Sequence, residues 1–220
     1  MNVLLVAASA MVVAGGIACV AGRRPAVIAL GAGLMLVAVA LVADPPPALL
    51  PLAARAVAAA LTAELLWIGL RSRPPVGGAS ALAWPAIGFL GAAAFTVGYG
   101  SAQGMPAGGP PVALGAALAL LTLTVVALVG RFDGIQRSLM ALPLVAAAEL
   151  IRTAFVGPPS SLEGLVVAGL GIILAGVVAS LSAGPVHEPA ALHGDPGVAV
   201  VRDPRIARRT PQPRGGADTR

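Results

Sequence analysis

The chain has 220 residues and a formal net charge of +5, and 58% of its residues are hydrophobic while only 10% are charged. Soluble proteins average about 45–50% apolar and about 25% charged residues, so the composition excludes an ordinary soluble domain and predicts a polytopic membrane protein. All 14 basic residues are arginine, which excludes chemistry that needs a lysine amine, such as a Schiff base or the lysine of a P-loop. The single cysteine, Cys19, excludes an internal disulfide and a cysteine metal cluster.

Seven apolar runs are each long enough to cross a bilayer, whose hydrocarbon core of about 30 Å takes about 20 helical residues. These runs are Val3 to Ala21, Ala26 to Ala43, Ala48 to Leu70, Ala81 to Gly100, Val112 to Gly130, Ser138 to Val156 and Leu165 to Ala183. The breaks between them are short and rich in Pro, Gly and Arg, as expected of turns. The predicted fold class is therefore all-α, a transmembrane helix bundle of about seven spans over residues 1–183.

Arginine is distributed asymmetrically between the breaks. It follows spans 1, 3 and 5, six more arginines follow span 7, and the breaks after spans 2, 4 and 6 contain none. Short cytoplasmic loops carry the excess of basic residues. We therefore expect the N-terminus outside and the C-terminus in the cytoplasm, in the inner or plasma membrane of a bacterium, with the lipid bilayer as a partner. A cleaved signal peptide is the alternative for span 1, but no basic residue precedes its apolar stretch.

Residues 184–220 differ from the rest of the chain, because they are rich in Pro, Arg, Gly and Asp and have no sustained helical periodicity. Such a composition predicts a disordered cytoplasmic tail. Two interpretations are open: a solvated tail that only helps to set the topology, or a segment that binds a partner. The two histidines, His187 and His193, both lie here, and without a cysteine to join them in a fixed geometry we predict no metal site.

Four charged residues fall inside the predicted spans: Arg55, Glu64, Glu149 and Arg152. An ionised group at the bilayer centre costs at least about 2.5–3.5 kcal/mol, so such residues normally face a partner or water. Arg55 lies seven residues below the outer start of span 3, and Glu149 lies seven residues below the outer end of span 6. Both are thus about 10 Å deep, and we predict that they pair if the two spans are neighbours.

The roles of the four candidates divide into structural and functional alternatives. The Arg55 and Glu149 pair is either a static tie between helices or part of an ion path. Arg152 is on the same face as Glu149, at a spacing of three residues. It either pairs with Glu149 as well or extends to the outer lipid headgroups. Glu64, in the inner half of span 3, has no basic residue at its depth. It is predicted to be either a proton or cation site or a neutral, hydrogen-bonded core residue.

No catalytic signature occurs in the chain. It contains neither H-E-x-x-H nor G-x-S-x-G, and it has no glycine-rich phosphate loop after a strand. Aromatic residues make up 3% of the chain, too few for a stacking platform. We therefore expect a protein that is not an enzyme, with no cofactor, no metal and no nucleic-acid partner.

A family resemblance rests on the pattern of basic breaks. The chain has a tight basic break after span 1, a long span 3 that closes with Arg71 and Arg73, and the turn Arg131-Phe132-Asp133-Gly134-Ile135-Gln136 before a glutamate-bearing span. In these features it resembles the E-type, seven-span membrane subunit of complex-I-related hydrogenase assemblies. That family carries glutamate, asparagine and glycine in its penultimate helix, where this chain has Leu144 and Val145 and then Glu149.

The resemblance implies a small non-catalytic subunit beside an antiporter-like partner, whose buried charges couple electrically to an ion path. Two other functions fit the residues. One is a self-sufficient small secondary transporter, with buried charges lining a cavity. The other is a membrane scaffold or assembly protein that recruits a cytoplasmic partner through its tail. Other membrane subunits or further copies of the chain are therefore the expected protein partners.

Overall fold

The computed structural model describes residues 3–71, 84–105, 108–129 and 134–182, and these ranges contain helices and connections but no strand. The described helices are α1 (Val3–Ala21), α2 (Pro25–Leu41), α3 (Leu49–Arg71), α4 (Trp84–Gln103), α5 (Pro111–Val129), α6 (Gly134–Leu139), α7 (Ala141–Val156) and α8 (Ser161–Ser182). The all-helical fold class is confirmed. The predicted tail and the breaks that carry Arg73, Arg131 and Asp133 lie outside the described residues.

Five of the described helical stretches are long and apolar enough to cross a membrane. They are α1, α3, α5, the stretch Arg137–Val156 that includes α7, and α8. Of the other two predicted spans, α2 is apolar but has only 17 residues. The helix α4 has 20 residues, but it is not among the described helices apolar enough to count as a span. The structure is thus all-helical over the described residues, with five helices that could span a membrane.

The predicted span Ser138 to Val156 is interrupted near its start, because α6 ends at Leu139 and α7 begins at Ala141. Pro143 explains the position of this interruption. Proline has no N–H to bond to the carbonyl four residues earlier, which here belongs to Leu139, and its ring crowds the same turn. The short helix α6 therefore ends where that hydrogen bond is missing.

The helices pack in successive layers. The pair α3 and α8 contacts α2 and α7, these contact α1 and α5, and α4 packs on α5 and α1. Glycine permits the close approaches: a Cβ on Gly31 of α2 would lie 2.6 Å from the Cβ of Ala18 in α1. Lipid tails are as apolar as leucine, so dispersion contact between closely approaching backbones is a main source of helix association in a membrane.

The helices α3 and α8 run in the same direction. A Cβ on Gly171 of α8 would lie 3.6 Å from Oγ1 of Thr62, and a Cβ on Gly69 of α3 would lie 2.6 Å from the Cα of Ala179. Residue numbers increase together along both helices, at intervals of about seven, as in parallel helices that pack at a small crossing angle. The small residues of α8 therefore form a continuous contact stripe against α3.

Buried hydroxyl groups bond within their own helices. Thr62, Thr124 and Thr153 each donate to the carbonyl oxygen four residues earlier, at 2.8, 2.6 and 2.9 Å. Because a membrane interior offers no water to satisfy a polar group, such internal bonds allow these residues to sit in an apolar bundle.

Candidate functional site

Arg55 of α3 and Glu149 of α7 form an ion pair inside the bundle. Nη2 of Arg55 lies 2.6 Å from Oε1 of Glu149, and the two residues are 7% and 8% exposed. The matched depths predicted such a pair, and the structure brings the two residues together. The main contacts of α3 are with α2 and α8 and those of α7 are with α5, α2 and α8, so the long arginine side chain bridges two helices that pack chiefly against others.

The contact between the two side chains is electrostatic. Nη2 of Arg55 is within ion-pair distance of Oε1 of Glu149, and that oxygen has no geometrically satisfied hydrogen bond among the described residues. Coulomb attraction over such a distance is strong where water is excluded. The pair therefore depends on the charge state of Glu149.

Gly164 of α8 forms one wall of the space that the guanidinium group occupies. A Cβ at this position would lie 2.7 Å from Nε and 2.9 Å from Cζ of Arg55. Any larger residue would have to displace the arginine. The site is thus built by three helices: α3 supplies the cation, α7 supplies the anion, and α8 supplies the gap.

A cleft leads to this pair from one end of the bundle. We call it the Asp44 end, where α2 ends and α3 and α8 begin. The cleft has a volume of about 160 Å³, and Arg55 is its one charged lining residue among Ala, Pro, Ser and Gly. A second cavity of about 20 Å³ is lined by both Arg55 and Glu149. Arg55 therefore lies between the open cleft and the small cavity beside Glu149.

Arg152 has a different partner from either one predicted. Its Nη2 lies 2.7 Å from Oε2 of Glu163, at the start of α8, and its Nη1 donates to the carbonyl of Gly157 at 3.2 Å. Both side chains of this second ion pair are partly exposed, at 33% and 46%. Arg152 therefore joins α7 to α8 through the connection between them.

Sequence reasoning missed Glu163, although a signal for it was present. The segment Ser160-Ser161-Leu162-Glu163 matches the capping-box pattern S-x-x-E. In the structure the N–H of Ser160 donates to Oε2 of Glu163 at 2.7 Å, and the N–H of Glu163 donates to Oγ of Ser160 at 3.3 Å. The capping box starts α8 at Ser161, four residues before the predicted start at Leu165, and so brings Glu163 into the helix.

Glu64 is not among the buried charges. The structure places it on the outer surface of α3, exposed, between the buried residues Thr62 and Leu66. The prediction of a core position is corrected here. A charge that faces lipid near the middle of a span costs at least about 2.5–3.5 kcal/mol, so the position is energetically unfavourable for an isolated bundle.

Across the described ranges, no three His, Cys, Asp or Glu side chains come together in a way that could hold a metal ion. No protein-family model matches the chain, and comparisons with curated proteins and with solved structures found no match. The resemblance to the hydrogenase-related subunit therefore stays a prediction, and the proposed function below rests on the geometry of the charged residues.

Proposed function

We propose that the protein is a non-catalytic subunit of an ion-translocating assembly in the cell membrane of a bacterium, and that the Arg55 and Glu149 pair responds to the ion. One observation carries the proposal: the pair is buried, yet Arg55 lines a cleft that opens at the Asp44 end. A purely structural tie has no need of such access, whereas a pair that exchanges ions with its surroundings does.

The geometry suggests how the pair responds. A proton on Glu149 removes the negative charge that holds Arg55, and the guanidinium group is then free to move toward the cleft. Since Gly164 contacts that group closely, movement of Arg55 alters the packing of α3 against α8. The pair thereby couples a change of charge to a change in helix packing, as a two-state element does.

The proposed topology has seven spans, with the N-terminus outside and the C-terminus in the cytoplasm. The parallel course of α3 and α8 supports the crossing of α4 in this topology. If α4 did not cross, only the two spans formed by α5 and α7 would lie between α3 and α8, which would then point in opposite directions. With α4 crossing, three spans lie between them and the two helices run the same way. The Asp44 end is then the outer end.

The test measures proton movement in membrane vesicles from cells whose own copy is replaced by a variant, with a pH-sensitive dye as the readout. Glu149→Gln keeps the volume of the side chain but removes its charge, and we expect it to abolish the flux while the assembly is still recovered in mild detergent. Glu163→Gln is the matched control, since it discharges the exposed pair, and should leave the flux unchanged. A normal flux in assembled Glu149→Gln vesicles would overturn the proposal.

A self-sufficient transporter is the second candidate, and the size of the cleft favours it. A volume of about 160 Å³ has room for a small anion, which would compete with Glu149 for Arg55. Purified protein alone in liposomes distinguishes the two functions: flux without other subunits supports the transporter, whereas flux only in the presence of co-purified subunits supports the first proposal.

A further inference from the structure

The outer surface of α3 presents one acidic group within an apolar face. Val57, Leu61, Trp67 and Ile68 are exposed by 61%, 49%, 40% and 44%, and Glu64 is exposed among them. Their spacing of three and four residues places them on one side of the helix. We refer to these five residues as the Glu64 face.

The depth of Glu64 makes this face unsuited to lipid. Glu64 follows Leu49, the first residue of α3, by 15 residues, which is about 22 Å along the helix axis. Arg71 follows it by seven residues, or about 10 Å, and the guanidinium of Arg71 lies over the ring of Trp67, 5.5 Å from its centre. Within the described part of the chain, Glu64 has neither an ion pair nor a hydrogen bond.

We propose that the Glu64 face binds a transmembrane helix of a different protein, and that this helix carries a lysine or arginine at the depth of Glu64. The inference rests on the proposed function, to which it adds the chemistry of the partner. Charge complementarity is the argument, because an intramembrane carboxylate on an outer surface becomes favourable when a cation from a neighbouring helix meets it and the surrounding apolar residues exclude lipid.

A second copy of the chain fits this face poorly. The described arginines are either buried, as Arg55 is, or lie toward helix ends, as Arg24, Arg71, Arg137 and Arg152 do. A symmetric dimer through α3 would set one Glu64 beside the other, since a two-fold axis brings equal depths together. Two carboxylates at one depth repel each other, so a heterologous partner is favoured.

The experiment uses photocrosslinking in native membranes with the full-length chain. A photoreactive phenylalanine replaces Leu61 or Ile68 on the Glu64 face, and in controls it replaces Ile173 of α8 or Val97 of α4, which are 63% and 64% exposed. We expect positions 61 and 68 to crosslink to one other protein, at a helix in which mass spectrometry locates a lysine or arginine. Glu64→Leu should lower that yield at least tenfold, and the controls should not label this helix.

Charge exchange then tests the pairing itself. Glu64→Lys should abolish the crosslink, and replacement of the partner's basic residue by glutamate should restore it in that background. Crosslinks to a second copy, crosslinks to lipid alone, or a yield unaffected by Glu64→Leu would overturn the proposal. Crosslinking does not depend on ion flux, so the two proposals can fail separately. If Glu149→Gln leaves the flux unchanged while positions 61 and 68 still crosslink to a helix with a basic residue, the proposed function is refuted and the docking face is supported.

Discussion

At the scale of single residues, Arg55 and Glu149 depend on each other, because removal of either leaves the other buried without a counter-charge. Breaking a buried pair in this way costs about 3–5 kcal/mol in soluble proteins. We expect Arg55→Ala and Glu149→Ala each to lower the thermal stability of the detergent-solubilised protein more than the double variant does. The measurement is a double-mutant cycle, in which the two losses should be strongly non-additive. Additive losses would show that each residue is stabilised independently.

A second prediction at the residue scale concerns Gly164, which lines the space that holds the guanidinium group of Arg55. Gly164→Ala places a methyl group against the guanidinium of Arg55, and overpacking of this kind costs about 1–3 kcal/mol. Gly176→Ala in the same helix is the matched control, since a Cβ there meets nothing within 4 Å, and should be neutral or raise stability by up to about 1 kcal/mol. Equal melting temperatures for the two variants would contradict the proposed packing of Arg55.

At the scale of helices, the sequence predicted which helices exist better than it predicted the residues at which they begin and end. The predicted first span, Val3 to Ala21, has the same bounds as α1. Apolar runs locate the membrane-crossing part of a helix, but α8 begins earlier than its apolar run, at Ser161, because a polar capping box precedes it. Pro143 divided another span into α6 and α7. Both differences arise because helix ends are set by local hydrogen bonding and not by hydropathy.

The sequence could not predict which side of each helix faces the interior of the bundle. In a soluble protein the apolar stripe marks the buried face, but a membrane helix is apolar on all sides because lipid replaces water as the solvent. Depth along the axis could therefore be predicted for Arg55 and Glu149, whose pairing follows from it. The outward direction of Glu64 could not, because its neighbours three and four residues away are Ala, Leu, Trp and Ile.

The parallel packing of α3 and α8 can be tested with a disulfide. A Cβ on Gly69 would lie 2.8 Å from the Cβ of Ala179, and disulfides need about 3.5–4.5 Å between these atoms. The two helices must therefore separate by about 1 Å to admit the bond. In a Cys19→Ala background, Gly69→Cys with Ala179→Cys should then crosslink under mild oxidation. Gly69→Cys with Ser161→Cys should not, because Ser161 lies at the opposite end of α8. Crosslinking of the second pair instead would indicate antiparallel helices.

At the scale of the whole molecule, the proposed topology predicts which breaks face which side. Single cysteines in a Cys19→Ala background, at Asp44 and Gly108, should react with a membrane-impermeant reagent in intact cells. Single cysteines at Arg73 and Asp133 should react only after the membrane is opened. The reason is the arginine asymmetry of the breaks. Labelling of position 108 only in opened cells would overturn the orientation.

The Arg55 and Glu149 pair also has a consequence for biogenesis. Glu149 follows Arg55 by 94 residues, and chains elongate at about 5–20 residues per second, so the arginine is synthesised about 5–20 s before its counter-charge. During that interval α3 holds a cation that no completed part of the bundle neutralises. The arrival of α7, followed by Gly164 at the start of α8, would then set the moment at which α3 takes its final place. The ion pair of α3 therefore forms only after α7 has been synthesised.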